Sequence, residues 1–319
     1  MNLPQRPTQS ASRNDHLLAN VALLYYGEGL TQNEIATRMG VSRASVVNYL
    51  REGRERGIVD VHIKGQALAS SSLSREIRNK FGLSDVYIAQ YAESGDALVQ
   101  TARVGAMALL DIVKPGDHLG VAWGETIKNI ADQLPNSPIG GTSVSQIIGA
   151  MYSTRLPSAE ACSIRIANRI GAECFTLHAP AVLSSAELAR ALKEEPTIKA
   201  QLERLDSLDV ALFSAGDCSG TTHMVEAGIA SASDMHEAIG LGARGIVCSR
   251  FIDAQGRQIN VGLDEHMISI DIPALRRAKK RIMVTAGLAK FEAAAAALRG
   301  NLVTHLVVDE TLANKLFES

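Results

Sequence analysis

A short run near the N-terminus combines side chains that read base edges in DNA. Arg43 and Asn48 lie five residues apart, with the small residues Ala44 and Ser45 between them. An arginine guanidinium can donate two hydrogen bonds to guanine O6 and N7, and an asparagine amide can pair with adenine N6 and N7. Helical spacing places these four residues on an outer helix face near the helix start. We predict that they contact bases.

A second set of polar residues near this run suits the phosphate backbone. Thr31, Gln32 and Ser42 lie at predicted helix starts, where hydroxyls and free backbone N–H groups can hold phosphates, and Arg51 adds a positive charge. The alternative is a three-helix packing unit with a solvated basic face, because capped helices with glycine turns occur widely.

Two other segments contain residues that suit an anionic ligand. Gly124 follows the apolar run that ends at Trp123, and Glu125 and Thr126 open a helix whose free N–H groups would attract an anion. Lys290, at the start of an alanine-rich helix, supplies the positive charge that a phosphate needs. We predict that these residues bind an effector.

Three further residues follow predicted strands. Gly149 follows SQII, and Gly216 with Asp217 follows VALFSA, where a carboxylate can accept hydrogen bonds from sugar hydroxyls. We include them in the predicted effector site. Each junction taken singly is equally consistent with a turn that only reverses the chain.

Motifs for several other chemistries are missing. No predicted strand leads into G-x-G-x-x-G and no G-x-x-x-x-G-K-[ST] occurs, so neither a dinucleotide nor a nucleoside triphosphate is the expected ligand. HExxH and CxxC are also absent, and the four cysteines are expected to be buried, reduced thiols. We predict no catalytic residue, no metal and no cofactor.

The predicted base and phosphate contacts require a helix-turn-helix to position them. Leu17–Tyr26 has helical apolar spacing, and Thr31 with Glu34 forms a capping box for a second helix. Gly40 can end that helix with a positive φ, and Ser42 can cap a third. In a helix-turn-helix the second member of the pair lies in the major groove.

The predicted effector residues require a sheet to position them. Apolar runs alternate with helical patterns along the rest of the chain: DVYIA, HLGVAW, SVSQIIGA, CFTLHAP, VALFSAG, GIVCSRFI, RIMVTAG and HLVVDE. Continuous apolar strands separated by helices predict a mainly parallel sheet covered on both faces. Ligands bind such sheets at the carboxyl ends of the strands, where the strand order reverses.

Length and charge support two unequal domains. We predict a DNA-binding domain over 1–65, with 57–65 (GIVDVHIKG) as a strand or wing, and an effector domain over 66–319. The first has a net charge of +2 and the second −4, and five arginines fall within 38–56. No apolar run is long enough for a membrane span or a signal peptide, so we expect a cytoplasmic protein without a membrane partner.

Taken together, these motifs resemble the SorC family of sugar-responsive bacterial regulators. The likeness covers nearly the whole chain after Leu17. It is carried by LLYYGEGLTQNEIATRMGVSRASVVNYLREGRERGIV and by the blocks GVAWGETI, AGLAK and LVVDETLA. The resemblance implies an α/β protein: a winged helix-turn-helix followed by a Rossmann-like sheet domain similar to sugar-phosphate isomerases such as glucosamine-6-phosphate deaminase. It also implies an effector phosphate near 124–126 and Lys290.

The function expected from this resemblance is DNA-binding regulation, as a repressor, of a carbohydrate or polyol catabolic operon. The expected partners are operator DNA of palindromic sequence, a small sugar, polyol or sugar-phosphate effector, and further copies of the chain in a homotetramer or homodimer. Ile246 occupies a position where the family often has an acidic residue, Ala215 and Ala286 replace common glycines, and Arg250 is expected to alter the pocket.

Two other functions are possible. A sugar-phosphate isomerase or deaminase with an added N-terminal domain would need a carboxylate or histidine over its substrate. Asp217 and His223 lie six residues apart and do not form the Asp-Gly-His cluster of the deaminases. A purely architectural DNA-binding protein would leave about 250 residues of predicted α/β sheet unexplained.

Overall fold

A computed structural model describes residues 9–59, 69, 71–90, 96–151, 158–218 and 222–319. The chain divides into two compact units, Met1–Ile63 and Lys64–Ser319. The predicted wing at 57–65 lies outside the described residues from position 60 onward. The domain boundary at residue 65 therefore remains a prediction.

The N-terminal unit contains helices on which the predicted DNA contacts lie. Their bounds are α1 Gln9–Ala22, which continues as a π-helical turn over Leu23–Gly27, α2 Gln32–Met39 and α3 Arg43–Glu55. A small apolar core joins them, formed by Val21, Leu24, Ile35, Ala36, Val46 and Leu50.

Local signals set the ends of α2 and the start of α3. The Thr31 hydroxyl accepts a hydrogen bond from the Glu34 N–H at 3.3 Å, and the Glu34 carboxylate accepts one from the Thr31 N–H at 2.7 Å. Gly40 ends α2 at φ 67°, which glycine adopts at little cost, and the Ser42 hydroxyl accepts from the Ser45 N–H. The capping box, the glycine end and the serine cap predicted from the sequence are confirmed.

The C-terminal unit is built on a seven-stranded parallel sheet. Its strands are β1 Asp85–Ala89, β2 His118–Val121, β3 Ser143–Gln146, β4 Glu173–Phe175, β5 Val210–Phe213, β9 Lys280–Thr285 and β10 His305–Asp309. They lie in the order β1-β10-β9-β5-β2-β3-β4. The predicted parallel sheet is confirmed, although most of these strands are shorter than the apolar runs.

Helices connect the strands. They are α4 Ser72–Phe81, α5 Ala97–Ile112, α6 Glu125–Gln133, α7 Ala159–Ile170, α8 Ala186–Glu194, α9 Pro196–Arg204, α10 His223–Glu226, α11 Ala232–Gly240, α12 Ile272–Arg277, α13 Phe291–Arg299 and α14 Glu310–Glu318. Single 3₁₀ turns cover Leu205–Ser207, Gly262–His266 and Leu288–Lys290.

Alternate side chains of the central strands enter two separate apolar clusters. In β5, Val210 and Leu212 belong to one cluster, whereas Ala211 and Phe213 belong to the other. Successive side chains of a strand point to opposite faces, so both faces of the sheet are covered. This is the reason that the strands read as continuous apolar runs.

A second, antiparallel sheet contains β6 Ala215–Gly216, β7 Gly245–Val247 and β8 Arg250–Ile252. The prediction of GIVCSRFI as one strand is wrong, because the chain reverses at Cys248 and Ser249. These residues have φ of 50° and 62°, a conformation that costs a non-glycine residue free energy. No glycine marks this turn, so it was not predictable from the local sequence.

Among the described residues, no helix is long and apolar enough to cross a membrane.

Candidate functional site

A cavity of about 160 Å³ opens at the carboxyl ends of three central strands, β2, β5 and β9. The chain passes from β2 outward to β3 and β4, and then returns to the other side of β2 as β5. The cavity therefore lies at the reversal of strand order, where open α/β sheets bind ligands. Its lining includes Gly124, Glu125, Thr126, Gly216, Asp217 and Lys290.

One wall of this cavity, the candidate effector pocket, is the start of α6. Gly124 precedes the helix at φ 114° and ψ 172°, and no side chain caps it. The first N–H groups of an α-helix have no acceptor within the helix and carry partial positive charge. The N–H groups at Glu125 and Thr126 can therefore bind an anion.

The wall that carries Lys290 is held by a buried carboxylate. The Gly287 N–H donates to Asp309 Oδ2 at 2.6 Å, and the Leu312 N–H donates to Asp309 Oδ1 at 3.0 Å. Asp309 is fully buried, so both bonds are shielded from water. The Asp309 side chain thus fixes the turn over Gly287 that leads to Lys290 and also caps α14. This role was not predicted from the sequence, although an aspartate between a strand and a helix is a typical N-cap.

Of the predicted effector residues, Gly149 alone is not part of the pocket lining. A Cβ on Gly149 would lie 2.5 Å from the carbonyl oxygen of Pro180, and its N–H donates to the Ile268 carbonyl at 2.9 Å. Close backbone packing explains why this position is glycine. The adjacent Ile148 lines the pocket instead.

Several pocket residues were not among the predicted contacts. The Trp123 indole N–H donates to the Ser249 hydroxyl at 3.2 Å, which connects the end of β2 to the β7–β8 turn. The pocket also includes His223, whose Nε2 lies 3.9 Å from the Glu125 carboxylate. Asp217 lines the same cavity. Acid–base groups are therefore brought together despite their sequence separation, which weakens the sequence argument against an enzyme.

The β7–β8 hairpin contributes an apolar part of the pocket. Ile246 and Cys248 line it, and burial raises the pKa of the Cys248 thiol to about 12, so this thiol is uncharged at neutral pH. Cys248 and Cys162 are buried as predicted, whereas Cys174 and Cys218 are only half-buried; all four are free thiols.

Arg250 does not reach the pocket lining, contrary to expectation. Its side chain is 6% exposed and forms an ion pair with Asp264 at 2.7 Å, while its Nε donates to the Ile270 carbonyl at 3.3 Å. The guanidinium anchors the base of the hairpin to residues 264–270. Its effect on the ligand is at most indirect.

A glycine pattern at residues 240–245, GLGARG, has the G-x-G-x-x-G spacing. It lies between the end of α11 and β7, so it joins a helix to a strand. A dinucleotide site needs the opposite order, because the pyrophosphate sits at the N-terminus of the helix that follows the strand. The pattern therefore does not indicate a dinucleotide site.

In the N-terminal unit, the residues predicted to contact bases lie at the start of α3. Arg43, Ala44 and Asn48 are exposed, and Ser45 is half-buried. Arg43 Nε donates to Gln32 Oε1 at 3.2 Å, which leaves the terminal nitrogens of Arg43 available as donors. We call this surface, defined by residues 43, 44, 47 and 48, the outer face of α3.

The predicted phosphate contacts differ in availability. The Thr31 hydroxyl donates to Glu34 at 2.7 Å, so its capping role competes with a phosphate. Ser42 and Ser45 hydroxyls lie 2.9 Å apart, and Arg51 Nη2 donates to Asn48 Oδ1 at 3.1 Å. Backbone N–H groups at the start of α2, beside Gln32, remain the simplest phosphate donors. All these contacts remain predictions.

Comparison with known proteins gives a consistent result over both units. Residues 66–318 match the family described as "Putative sugar-binding domain". The chain is 33% identical to the "Uncharacterized transcriptional regulator YjhU" of Escherichia coli (strain K12), over 97% of this chain and 96% of that protein. It is 28% identical to the sorbitol operon regulator of Klebsiella pneumoniae, over 95% and 98%.

The similarity extends to a complete solved structure. The crystal structure of the full-length sorbitol operon regulator SorC from Klebsiella pneumoniae aligns with a TM-score of 0.75 at 26% identity, covering 95% of this chain and 98% of that one. The α/β fold and the helical N-terminal unit of this chain are similar to that structure, and the relatives match this chain over both units. The chain belongs to the SorC family of sugar-binding transcriptional regulators.

Proposed function

We propose that this chain represses a carbohydrate or polyol catabolic operon and that a small phosphorylated sugar or polyol, bound in the effector pocket, relieves the repression. The observation that carries the proposal is the position of Lys290 and the α6 N-terminus around one cavity at the strand-order reversal. The ammonium group of a lysine and free helix N–H groups together suit a phosphate. Asp217, Thr222 and Ser249 offer polar atoms for hydroxyl groups.

The N-terminal unit binds the operator in this proposal. Arg43 and Asn48 read bases, and Gln32, Ser42 and Arg51 hold phosphates. Two or four copies of the chain bind a palindromic operator, because a symmetric oligomer matches a symmetric site. The protein acts in the cytoplasm, where the bacterial chromosome lies.

The effector changes operator affinity by shifting an equilibrium between oligomer arrangements that space their α3 helices differently. A ligand shifts such an equilibrium only by its difference in affinity for the two states. A coupling free energy of about 1–3 kcal/mol gives a five- to 150-fold change in operator affinity.

The chain offers a direct readout for effector binding, because Trp123 is its one tryptophan and lines the pocket. We would titrate the full chain with two matched pairs, sorbitol against sorbitol 6-phosphate and ribose against ribose 5-phosphate, following Trp123 fluorescence. The same compounds are then added to gel-shift assays on the DNA upstream of the operon. The proposal predicts that a phosphorylated compound changes both signals and that its unphosphorylated partner is much weaker.

Two results would refute the proposal. If no carbohydrate or phosphate changes operator affinity, the sensor role is wrong. If binding to the upstream DNA is no stronger than to random duplex at physiological salt, the regulator role is wrong, because nonspecific binding depends on salt and not on sequence. Light scattering of the free protein tests for the dimer or tetramer.

A second function is favoured by one observation, the 3.9 Å approach of His223 to Glu125 in the cavity that Asp217 also lines. In an aldose–ketose isomerisation, the proton of the hydroxyl next to the carbonyl passes to the carbonyl oxygen, while such a base takes the proton from the hydroxyl-bearing carbon and returns it to the former carbonyl carbon. Incubation of the protein with ribose 5-phosphate in D₂O would place deuterium at that carbon. Absence of exchange, in a sample that responds by fluorescence, rejects an enzymatic role toward that sugar.

A further inference from the structure

The outer face of α3 contains an apolar residue that the sequence analysis did not consider. Val47 is 42% exposed, whereas its neighbour Val46 is fully buried and Leu50 is 4% exposed. Val47 lines one shallow cleft together with Arg43, Ala44 and Asn48. The one large apolar side chain described on this face therefore lies among the residues predicted to read bases.

The polar neighbours of Val47 are held in place by other side chains. Gln32 Oε1 accepts from Arg43 Nε at 3.2 Å, so the terminal guanidinium nitrogens remain available as donors. Arg51 Nη2 donates to Asn48 Oδ1 at 3.1 Å, so the Asn48 amide nitrogen remains available as a donor. The cleft therefore combines hydrogen-bond donors with exposed methyl groups.

In the major groove, one base edge offers an apolar group beside an acceptor. Thymine presents its C5-methyl next to O4, whereas guanine presents only acceptors and cytosine mainly a donor. A methyl surface flanked by donors fits thymine better than any other base. On the basis of the proposed operator binding, we propose that Val47, with the Ala44 methyl, packs against the C5-methyl of a thymine in each operator half-site and selects it.

The test uses the full chain and does not need a known operator. Duplexes preferred by the protein are selected from a random pool, and each thymine of the resulting site is replaced singly by deoxyuridine, which lacks only the methyl group. For the unchanged protein we expect one such replacement in each half-site to weaken binding about fourfold, the effect of one buried methyl group. Replacements elsewhere should have little effect.

The variant Val47→Ala tests whether Val47 is the side chain that contacts the thymine methyl group. In Val47→Ala the affinity for the thymine site should fall, and deoxyuridine at the sensitive position should cause little further loss. Leu23→Ala is the matched control, because Leu23 is 60% exposed in the same unit but lies in the π-helical turn and does not line the cleft on α3. It should keep the fourfold sensitivity.

The outcomes separate this inference from the proposed function. A selected site in which no thymine is sensitive to deoxyuridine refutes the role of Val47, as does undiminished sensitivity in Val47→Ala. Failure to select any preferred duplex instead counts against operator binding itself. Circular dichroism confirms that Val47→Ala retains its helices, as expected for an exposed side chain.

Discussion

The two units place their functional residues in contrasting ways. At the start of α3, the predicted base contacts lie within six residues of one helix, and the cap that begins that helix is also local. The effector pocket draws on residues between Leu98 and Lys290, joined by strand order and buried polar contacts. A change in the first unit should therefore act locally, whereas a change in the second can act through its supports.

The largest expected effect comes from breaking a buried ion pair of the C-terminal unit, compared with an exposed ion pair of the N-terminal unit. Asp264→Asn leaves the Arg250 charge buried without its partner, and we expect a loss of about 3–5 kcal/mol in the free energy of unfolding. Glu28→Gln breaks the Arg38–Glu28 pair, whose side chains are 60% and 47% exposed, and should cost less than about 1 kcal/mol. Urea unfolding measures the first through Trp123 fluorescence and the second through circular dichroism. Equal losses in the free energy of unfolding for the two variants would contradict this contrast between the units.

Lys290→Ala tests the pocket without disturbing its supports. Loss of a charged hydrogen bond to a phosphate should weaken effector binding by about 1.5–3 kcal/mol, while operator affinity without effector stays unchanged. The Trp123 titration and the gel shift measure the two quantities. Lys199→Ala, which removes an exposed lysine of α9, should leave both unchanged. A Lys290 variant that also loses operator binding would indicate general unfolding.

Arg43→Ala is the reciprocal change. We expect it to reduce discrimination between operator and random DNA by about 1–3 kcal/mol and to keep the fluorescence response to the effector. Competition gel shifts measure the discrimination. Arg190→Ala, an exposed arginine of α8, serves as the control for lost charge. If both variants weaken DNA binding equally, Arg43 contributes charge and no base reading.

The smallest expected effect is a pH dependence confined to the sheet unit. Burial lowers the pKa of His118 and His305 below the ordinary value of 6.5. The unfolded chain then binds protons near pH 6.5 that the folded chain does not, so these histidines make unfolding easier as the pH falls through 6.5. Urea unfolding followed by Trp123 should show a lower midpoint at pH 5.5 than at pH 7.5. His118→Asn should reduce this difference, and His236→Asn, at an exposed site, should not.

The same contrast explains what could be predicted from the sequence. The Thr31–Glu34 capping box and the Gly40 helix end were predictable, because the groups that meet are three or four residues apart. The parallel sheet was predictable from its continuous apolar runs. Gly124 and Lys290 were identifiable as separate turns, but only the strand order places them around one cavity.

The residues that were missed depend on pairings that no local pattern contains. Ser249 meets Trp123 across 126 positions, and Arg250, which follows a chain reversal without a glycine, pairs with Asp264 across 14 positions. Gly149 was assigned to the effector site because a glycine after a strand suggests a ligand, whereas the Pro180 backbone accounts for it. Val47 escaped notice because a valine in a helix is normally assigned to the core.

One buried carboxylate gives the last helix of the chain an unexpected importance. Asp309 both caps α14 and accepts a hydrogen bond from the turn before Lys290. The segment from Glu310 to Glu318 therefore supports one wall of the effector pocket. On the proposed function, a deletion or a bulky fusion that loosens this helix would abolish the response to the effector and leave DNA binding unchanged. If the chain is the proposed repressor, such a variant would keep its operon repressed in the presence of the effector.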